Sequence, residues 1–223
     1  ENNSVEEEIL SLNSSKDDIF FNISNLLKTV FFSAEMTIRI LSLRHNFLSF
    51  IVNPKYMFSI EKATLADCPL IQTLASNIWE PTYGSILSRE QLDYMFEMMY
   101  SHESLQKQMN ELHHQFFIIY ADGVPSGYLS IETVEKDLYE FQKIYSLPSL
   151  HGSGIGRFII EQGIAYLKTI HPGPFTIELN VNRHNPAVGF YKHMGFHEYA
   201  TRDFHIGSGY YMNDYIMRME VKE

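Results

Sequence analysis

The sequence predicts an α/β domain in which helices flank a sheet that contains some antiparallel strand pairs. The chain has 223 residues, 45% of them hydrophobic, which is enough for one sizeable core. Strand-like and helix-like segments alternate along it, as in an α/β sheet. The clearest strand covers residues 175–181, where Phe175, Ile177, Leu179 and Val181 alternate with polar residues.

The first 56 residues differ from the rest of the chain. Helical spacing of apolar residues covers 6–12 and 19–35, an apolar stretch covers 38–52, and Asn53-Pro54 then interrupts the pattern. We therefore expect an N-terminal helical extension over residues 1–56 and a self-contained domain over residues 57–223. The role of the extension stays open between a helical appendage, an arm that forms a homodimer, and a segment outside the functional protein.

The helices of the domain have recognisable ends. A short strand over residues 58–62 comes first. Thr64-x-x-Asp67 and Ser88-x-x-Gln91 resemble capping boxes and predict helices that run to about residues 77 and 98. Pro81 and Gly84 are expected to break the first of them, and a third helix is expected over residues 103–111.

The second half of the domain is predicted to begin with a hairpin. Strands over residues 115–121 and 128–132 are joined by an Asp122-Gly123 turn, and another strand follows over residues 138–145. A glycine-rich loop then leads into a helix that ends near residue 169. A short helix over residues 186–193 and a β-rich segment over 196–221 complete the domain.

Composition and charge argue against several classes of protein. A net charge of −10 repels phosphate backbones and anionic surfaces, so neither nucleic acid nor a membrane is an expected partner. Cys68 is the single cysteine, which rules out an intrachain disulfide and a thiolate metal cluster. His193 and His197 are separated by Gly195, which breaks the helix between them, so no metal is expected. The acidic start of the chain favours a cytoplasmic protein over a secreted one.

The most informative segment is the loop His151-Gly-Ser-Gly-Ile-Gly156. A glycine-rich turn before a helix directs backbone N–H groups towards an anion. A P-loop would need lysine after the last glycine, where Arg157 stands, and a dinucleotide-binding motif would need its third glycine at residue 157 or 159. A nucleophile elbow around Ser153 would need glycines at residues 151 and 155. All three patterns fail.

The loop instead resembles the pyrophosphate-binding loop of the GNAT acetyltransferases, whose pattern is Gln/Arg-x-x-Gly-x-Gly/Ala. The preceding Lys143-Ile-Tyr-Ser-Leu-Pro148 and the downstream Asn185-Pro-Ala-Val-Gly-Phe-Tyr-Lys-His-Met-Gly-Phe196 resemble two further motifs of this family at the expected spacing. The resemblance implies the GNAT fold, with a mixed, mostly antiparallel sheet, and acetyl-CoA as cosubstrate. His151 departs from the usual first residue, and Asn185 stands one position from its usual place, so Asn182 is its alternative.

The resemblance also implies site residues. Tyr191 falls at the general-acid position of the family, and Glu140 is our candidate for the base, because it should share a strand face with Ile144. Glu132, Glu80 or a water chain are the alternatives. The expected acetyl-CoA contacts, which include Tyr191, are Ile144, Tyr145, Ser146, His151, Gly152, Ser153, Gly154, Ile155, Gly156, Arg157, Asn182 and Asn185. The expected acceptor contacts are Trp79, Glu80, Tyr83 and Glu132.

The expected activity is direct transfer of acetyl from CoA to a primary amine. Within the family, Ser88-Arg-Glu-Gln-Leu and the tail Ile206-Gly-x-x-Tyr-x-Met-x-Asp-Tyr-x-Met217 are similar to bacterial spermidine and polyamine N-acetyltransferases. This similarity favours a small-molecule amine such as spermidine. A peptide or protein N-acetyltransferase and a CoA-binding sensor with little turnover are the competing hypotheses.

Overall fold

In the computed structural model, residues 56–222 are described. Their seven strands are β1 (Phe58–Lys62), β2 (Gln115–Ala121), β3 (Val124–Glu135), β4 (Leu138–Ser146), β5 (Phe175–Asn182), β6 (His197–Gly207) and β7 (Tyr210–Val221). Their α-helices are α1 (Cys68–Tyr83), α2 (Arg89–Tyr100), α3 (His102–Asn110), α4 (Ile155–Ile170) and α5 (Ala187–His193). The predictions for residues 1–55 lie outside the described residues.

All seven strands belong to one sheet, in the order β1-β2-β3-β4-β5-β7-β6. Every neighbouring pair is antiparallel except β4 and β5, which are parallel. The expected mixed, mostly antiparallel sheet flanked by helices is thereby confirmed. Within residues 56–222, no helix combines the length and the apolar character that crossing a membrane requires.

Each face of the sheet packs against its own helices. On one face, Ile159 and Ile160 of α4 pack in a buried cluster with Phe141 and Leu179 of the sheet. On the other face, side chains of α1, α2 and α3 form a second cluster with Phe116 and Tyr128. We call these the α4 face and the α1 face. Burying a side chain of this size contributes about 1.5–3 kcal/mol, so the two clusters fix the strands between them.

Helix α1 differs from its prediction, because it continues through Pro81 instead of breaking there. Proline has no N–H to donate to the preceding turn, yet the helical bonding resumes directly after it. The Thr82 hydroxyl donates to the Ile78 carbonyl at 2.6 Å, and the Gly84 N–H donates to the Glu80 carbonyl at 2.9 Å. The helix therefore ends at Tyr83, and its last turn brings the Tyr83 side chain next to the central strands of the sheet.

Strand β4 contains an irregularity that changes which side chains share a face. Ser130 of β3 pairs with Lys143, whereas Ile131 pairs with Phe141, so one extra residue of β4 is inserted between these pairs. Such a bulge reverses the alternation of the strand. Ile144 accordingly packs on the α4 face with Phe141, while Glu140 lies on the α1 face. Our expectation that Glu140 and Ile144 share a face was therefore wrong.

Candidate active site

The centre of the sheet contains a gap between its two parallel strands. Strands β4 and β5 pair only where residues 138–140 lie opposite residues 176–178. Beyond Glu140, β4 keeps its partner β3 on one side but has no strand partner on the other. Backbone N–H and C=O groups of β4 are thus left unpaired in the middle of the sheet, which is unusual for buried backbone.

A cavity of about 600 Å³ occupies this gap, a volume typical of small-molecule sites. Its walls come from β4, β5, the glycine-rich loop, the C-terminal end of α1 and helix α5. The lining residues on the two diverging strands are Phe141, Gln142, Ile144, Tyr145, Ser146, Leu179, Asn180 and Val181. The cavity therefore exists because the two strands separate.

The glycine-rich loop closes one end of the cavity and begins helix α4. Gly154 has a φ of +97°, a conformation in which only glycine is unstrained, and a Cβ placed on it would meet open space. The N–H groups of Ile155, Gly156 and Arg157 make no hydrogen bond within residues 56–222, whereas the Phe158 N–H donates to the Gly154 carbonyl at 3.0 Å. These free donors at a helix N-terminus suit an anion.

Gly156 serves a different purpose from Gly154. A Cβ at this position would lie 3.0 Å from the ring of Phe190. The glycine therefore allows α5 to pack closely against the start of α4. This contact places Tyr191, the residue that follows Phe190, at the cavity wall.

Tyr191 is buried, with 8% of its surface exposed. Its ring lies 5.4 Å from that of Phe190 and 5.9 Å from that of Phe196. Its hydroxyl makes no hydrogen bond in the part of the chain that the structure describes. Burial raises the pKa of this hydroxyl, and nearby Tyr83 raises it further. Tyr191 consequently stays protonated and has a proton available for a group in the cavity.

Carboxylates lie side by side on the α1 face next to the cavity. Glu132 pairs with Glu140 across β3 and β4, and Glu140 pairs with Glu178 across β4 and β5. Burial raises the pKa of Glu140 to about 7, with further increases from the charges of Glu132 and Glu178. Asn180, which lines the cavity, donates to Glu140 Oε1 at 2.5 Å. Glu140 therefore lies directly behind the cavity wall, where it is hydrogen-bonded to Asn180.

Lys143 lies on the same face as these carboxylates. Its ammonium group donates to Gln108 Oε1 at 2.6 Å. Burial lowers the pKa of Lys143 to about 8, although the charges of Glu140 and Glu132 oppose this shift. The positive charge of Lys143 partly compensates the negative charge of the carboxylates. Lys143 is not among the residues that line the cavity.

Aromatic side chains of α1 and β4 form the wall on the α1 face. The hydroxyls of Tyr83 and Tyr145 are 2.9 Å apart, and both residues line the cavity. Trp79 lies behind them, with 4% of its surface exposed and its ring 5.1 Å from that of Tyr83. Trp79 thus supports the wall from the core.

Most of the residues that the sequence singled out lie together around the cavity. The lining includes Tyr83, Ile144, Tyr145, Ser146, His151, Gly152, Gly154, Ile155, Gly156, Arg157, Asn185 and Tyr191. Asn185 rather than Asn182 is in contact with the cavity, and its Oδ1 accepts from the Ala187 N–H at 2.9 Å. Asn182 instead accepts from the His184 N–H at 2.9 Å.

The other predicted residues are not in the cavity wall. Ser153 donates to the Leu150 carbonyl at 2.6 Å. Glu80 is exposed on α1 and pairs with Arg89 at 3.2 Å. Glu132 accepts from Gln142 at 2.6 Å and lies 3.3 Å from the His114 imidazole. Glu80 and Glu132 are therefore engaged elsewhere.

Asn180 in the cavity wall was missed by the sequence reasoning. It was read only as part of the polar half of an alternating strand, yet it lines the cavity and donates to Glu140. Alternation assigns its position to the polar face of β5, so no local signal distinguished it from a solvent-facing residue. Among residues 56–222, no group of three or more His, Cys, Asp or Glu side chains is placed to hold a metal ion.

The two parallel strands separate, and the N-terminus of α4 lies at the open end of the gap between them. The cavity of this α/β domain therefore fits a long ligand with an anionic group. The profile described as "Acetyltransferase (GNAT) domain" matches residues 85–208, which is more than half of the chain. The chain belongs to this family.

Individual relatives agree with this assignment. Uncharacterized N-acetyltransferases of Mycobacterium bovis and Mycobacterium tuberculosis are 32% identical over 101 residues, or 45% of this chain. The aligned part spans 63% of the length of those relatives.

Solved structures show the same fold. The PaiA N-acetyltransferase from Thermoplasma acidophilum, in complex with coenzyme A, superposes with a TM-score of 0.61 at 22% identity, covering 74% of this chain and 99% of that one. A spermidine N-acetyltransferase mutant from Vibrio cholerae superposes with a TM-score of 0.52 at 22% identity, covering 73% and 93%.

Proposed function

We propose that this protein transfers acetyl from acetyl-CoA directly to a primary amine. The observation that carries the proposal is the cavity between β4 and β5, because it joins free N–H groups at the start of α4 to the Tyr191 hydroxyl. The first feature suits a pyrophosphate and the second suits a departing thiolate. The coenzyme A complex of the similar PaiA structure supports the same ligand.

The residues present fit acetyl-CoA. The pyrophosphate would lie against the N–H groups of Ile155, Gly156 and Arg157, where the helix end is positive. The pantetheine arm would follow the open edge of β4 past Ser146 and Ile144, whose backbone can bond to its amides. Acetyl-CoA supplies the acetyl thioester, and a backbone N–H of the open edge would stabilise charge on the thioester oxygen.

The chemistry requires two proton transfers by side chains. An amine must lose a proton before it can attack, since its pKa in water is about 10. Glu140 is the proposed acceptor of that proton, which would reach it through a water molecule, while the Asn180 N–H holds the Glu140 carboxylate. Tyr191 is the proposed donor to the sulfur. In residues 56–222 no serine or cysteine is hydrogen-bonded to a histidine, and Cys68 is buried in the core, which supports direct transfer without an acyl-enzyme.

The rate should depend on pH through Glu140. A base acts in its ionised form, and the pKa of Glu140 is raised to about 7. With saturating substrates, kcat should therefore be constant above pH 8 and fall about tenfold for each unit below pH 7. In Glu140→Gln this acid limb should be absent and the remaining rate should be low. An acid limb unchanged in Glu140→Gln would assign the proton to another base.

The proposed acceptor is a small amine with more than one positive charge, and spermidine is the first candidate. The net charge of −10 and the carboxylate of Glu140, which is hydrogen-bonded to Asn180 of the cavity wall, attract a polycation. The similarity to a spermidine N-acetyltransferase fold supports the choice. A cytoplasmic location, which the single cysteine of the sequence favours, would give access to such amines.

An amine panel with acetyl-CoA tests this acceptor. Attraction between exposed charges is screened by salt, so KM for spermidine should rise with ionic strength while kcat changes little. An uncharged acceptor such as an aromatic amine is the control and should show no rise. Efficient acetylation of a peptide N-terminus without any acetylation of polyamines would contradict the acceptor and leave the transfer itself in place.

A further inference from the structure

The closed end of the cavity lies where β4 and β5 begin to separate. The last residues that pair across these two strands are Glu140 and Glu178. The next residue on each strand, Phe141 on β4 and Leu179 on β5, lines the cavity. Both of these side chains belong to the apolar cluster on the α4 face. On this face the closed end of the cavity is therefore apolar.

Helix α4 completes this apolar end. Ile155, Ile159 and Gly163 follow one another at intervals of four residues, so they share one face of the helix. Ile155 and Ile159 line the cavity, whereas Gly163 does not and is buried one turn further along. The part of α4 that lines the cavity thus ends one turn before Gly163.

The ring of Phe141 occupies the space that a side chain at residue 163 would need. A Cβ on Gly163 would lie 2.6 Å from Cζ of Phe141 and 3.1 Å from Cδ2 of Leu129. The φ of Gly163 is not among the positive values, so its backbone does not require glycine, and glycine is unfavourable inside a helix. Gly163 therefore serves the close packing of the Phe141 ring on α4.

A donor bound as proposed would direct its acyl group to this ring. The free N–H groups at the start of α4 lie at the open end of the gap, and the unpaired edge of β4 runs from Ser146 back towards Phe141. A pantetheine arm that follows this edge carries its thioester towards the closed end. The acyl group, which ends the donor molecule, then meets the apolar side chains of Phe141 and Leu179.

We propose that Phe141, packed on Gly163, limits the length of the acyl chain that this protein transfers, so that acetyl is accepted and butyryl is rejected. The inference rests on the proposed acetyl transfer and assigns the donor specificity of that site. The Phe141 ring is 2% exposed, and α4 and Leu129 lie directly behind it. Because the ring has no room to retreat, each methylene beyond acetyl has to compete with it for space.

Three donors of increasing length test the proposal with one amine held at saturation. For wild type, kcat/KM should fall by about tenfold or more from acetyl-CoA to propionyl-CoA and again to butyryl-CoA. In Phe141→Leu, the ratio of kcat/KM for butyryl-CoA to that for acetyl-CoA should rise by about 10–100-fold, because part of the space of the ring becomes free. Phe175→Leu is the matched control, since Phe175 is buried in the same cluster without lining the cavity, and it should keep the wild-type ratio.

Gly163→Ala should change the specificity in the opposite direction. The added methyl group pushes the Phe141 ring away from α4, towards the empty space of the cavity, so the ratio for propionyl-CoA over acetyl-CoA should fall by about tenfold. Gly189→Ala on α5 is the control, because a Cβ there would meet open space, and it should keep the ratio. In the double variant Gly163→Ala/Phe141→Leu the shorter side chain makes room for the methyl group, so the ratio should rise above that of Gly163→Ala.

Melting temperatures separate this role from a purely structural one. Overpacking should lower the Tm of Gly163→Ala, and a lower Tm with donor ratios that stay at the wild-type values would contradict the proposal. If Gly163→Ala does not fold, Phe141→Leu and its control decide. Wild-type protein that uses butyryl-CoA as well as acetyl-CoA would also contradict it.

Binding alone decides if the proposed function fails. Should no amine be acylated by any of the three donors, the S-ethyl and S-butyl thioethers of CoA can be titrated into wild type and Phe141→Leu by calorimetry. A Kd for the S-butyl thioether that is about tenfold higher than for the S-ethyl thioether in wild type, and that recovers in Phe141→Leu, supports the proposal. Equal Kd values for the two thioethers in wild type overturn it.

Discussion

Replacing Tyr191 with phenylalanine should lower kcat by about 100-fold, as expected for loss of a positioned acid. The hydroxyl is buried, and its pKa is raised by burial, so it holds a proton for the departing thiolate throughout the neutral range. The affinity for CoA should change little, because the ring that packs against Phe190 and Phe196 is retained. Steady-state kinetics and calorimetric titration of CoA measure the two quantities.

Tyr166→Phe is the matched control for this variant. Tyr166 lies on α4, with its ring 4.8 Å from that of Phe117, and it does not line the cavity. Its kcat should remain at the wild-type value. If Tyr191→Phe turned over at the wild-type rate with both substrates saturating, another group would have to protonate the sulfur.

Replacing Gly154 with valine should weaken CoA binding by about 100-fold or more. The position has a φ of +97° and faces open space at the mouth of the cavity, so a branched side chain would enter the region next to the free N–H groups. Loss of two hydrogen bonds to a charged group, each worth about 1.5–3 kcal/mol, accounts for this factor. Backbone strain of about 1–3 kcal/mol is expected to leave the domain folded.

Two comparisons separate the loss of pyrophosphate binding from the effect of backbone strain in Gly154→Val. Gly173 also has a positive φ, +137°, with open space at its Cβ, but it lies in the turn before β5. Gly173→Val should therefore bear a similar strain and keep its affinity for CoA. Pantetheine, which has no pyrophosphate, should bind wild type and Gly154→Val alike. A folded Gly154→Val with unchanged CoA affinity would remove the loop from the site.

Local sequence patterns predicted much of the fold because the forces concerned are local. The alternation of Phe175, Ile177, Leu179 and Val181 specifies a strand with one buried face. The hairpin at Asp122-Gly123 follows from residues that accept positive φ. The loop at Gly154 was recognisable for the same reason, since a helix that starts after a left-handed residue needs glycine there.

Local pattern failed where distant packing decides. Alternation alone placed Glu140 and Ile144 on one face, but the inserted residue near Gln142 moved them apart. Proline rules stopped α1 at Pro81, yet the helix continues to Tyr83. Both features depend on how segments that are distant in the sequence pair and pack, which local spacing does not contain.

The sequence by itself therefore determined the element types, the glycine-rich loop and the position of Tyr191 in its motif, because each depends on backbone preference or on spacing within a few residues. Only the tertiary structure decided that β4 and β5 separate, that Asn180 bonds to Glu140, and that the hydroxyls of Tyr83 and Tyr145 meet. The two hydrogen bonds join residues that are 40 and 62 positions apart in the chain. No local signal encodes such contacts, since they follow from the order of strands in the sheet and from the burial of its two faces.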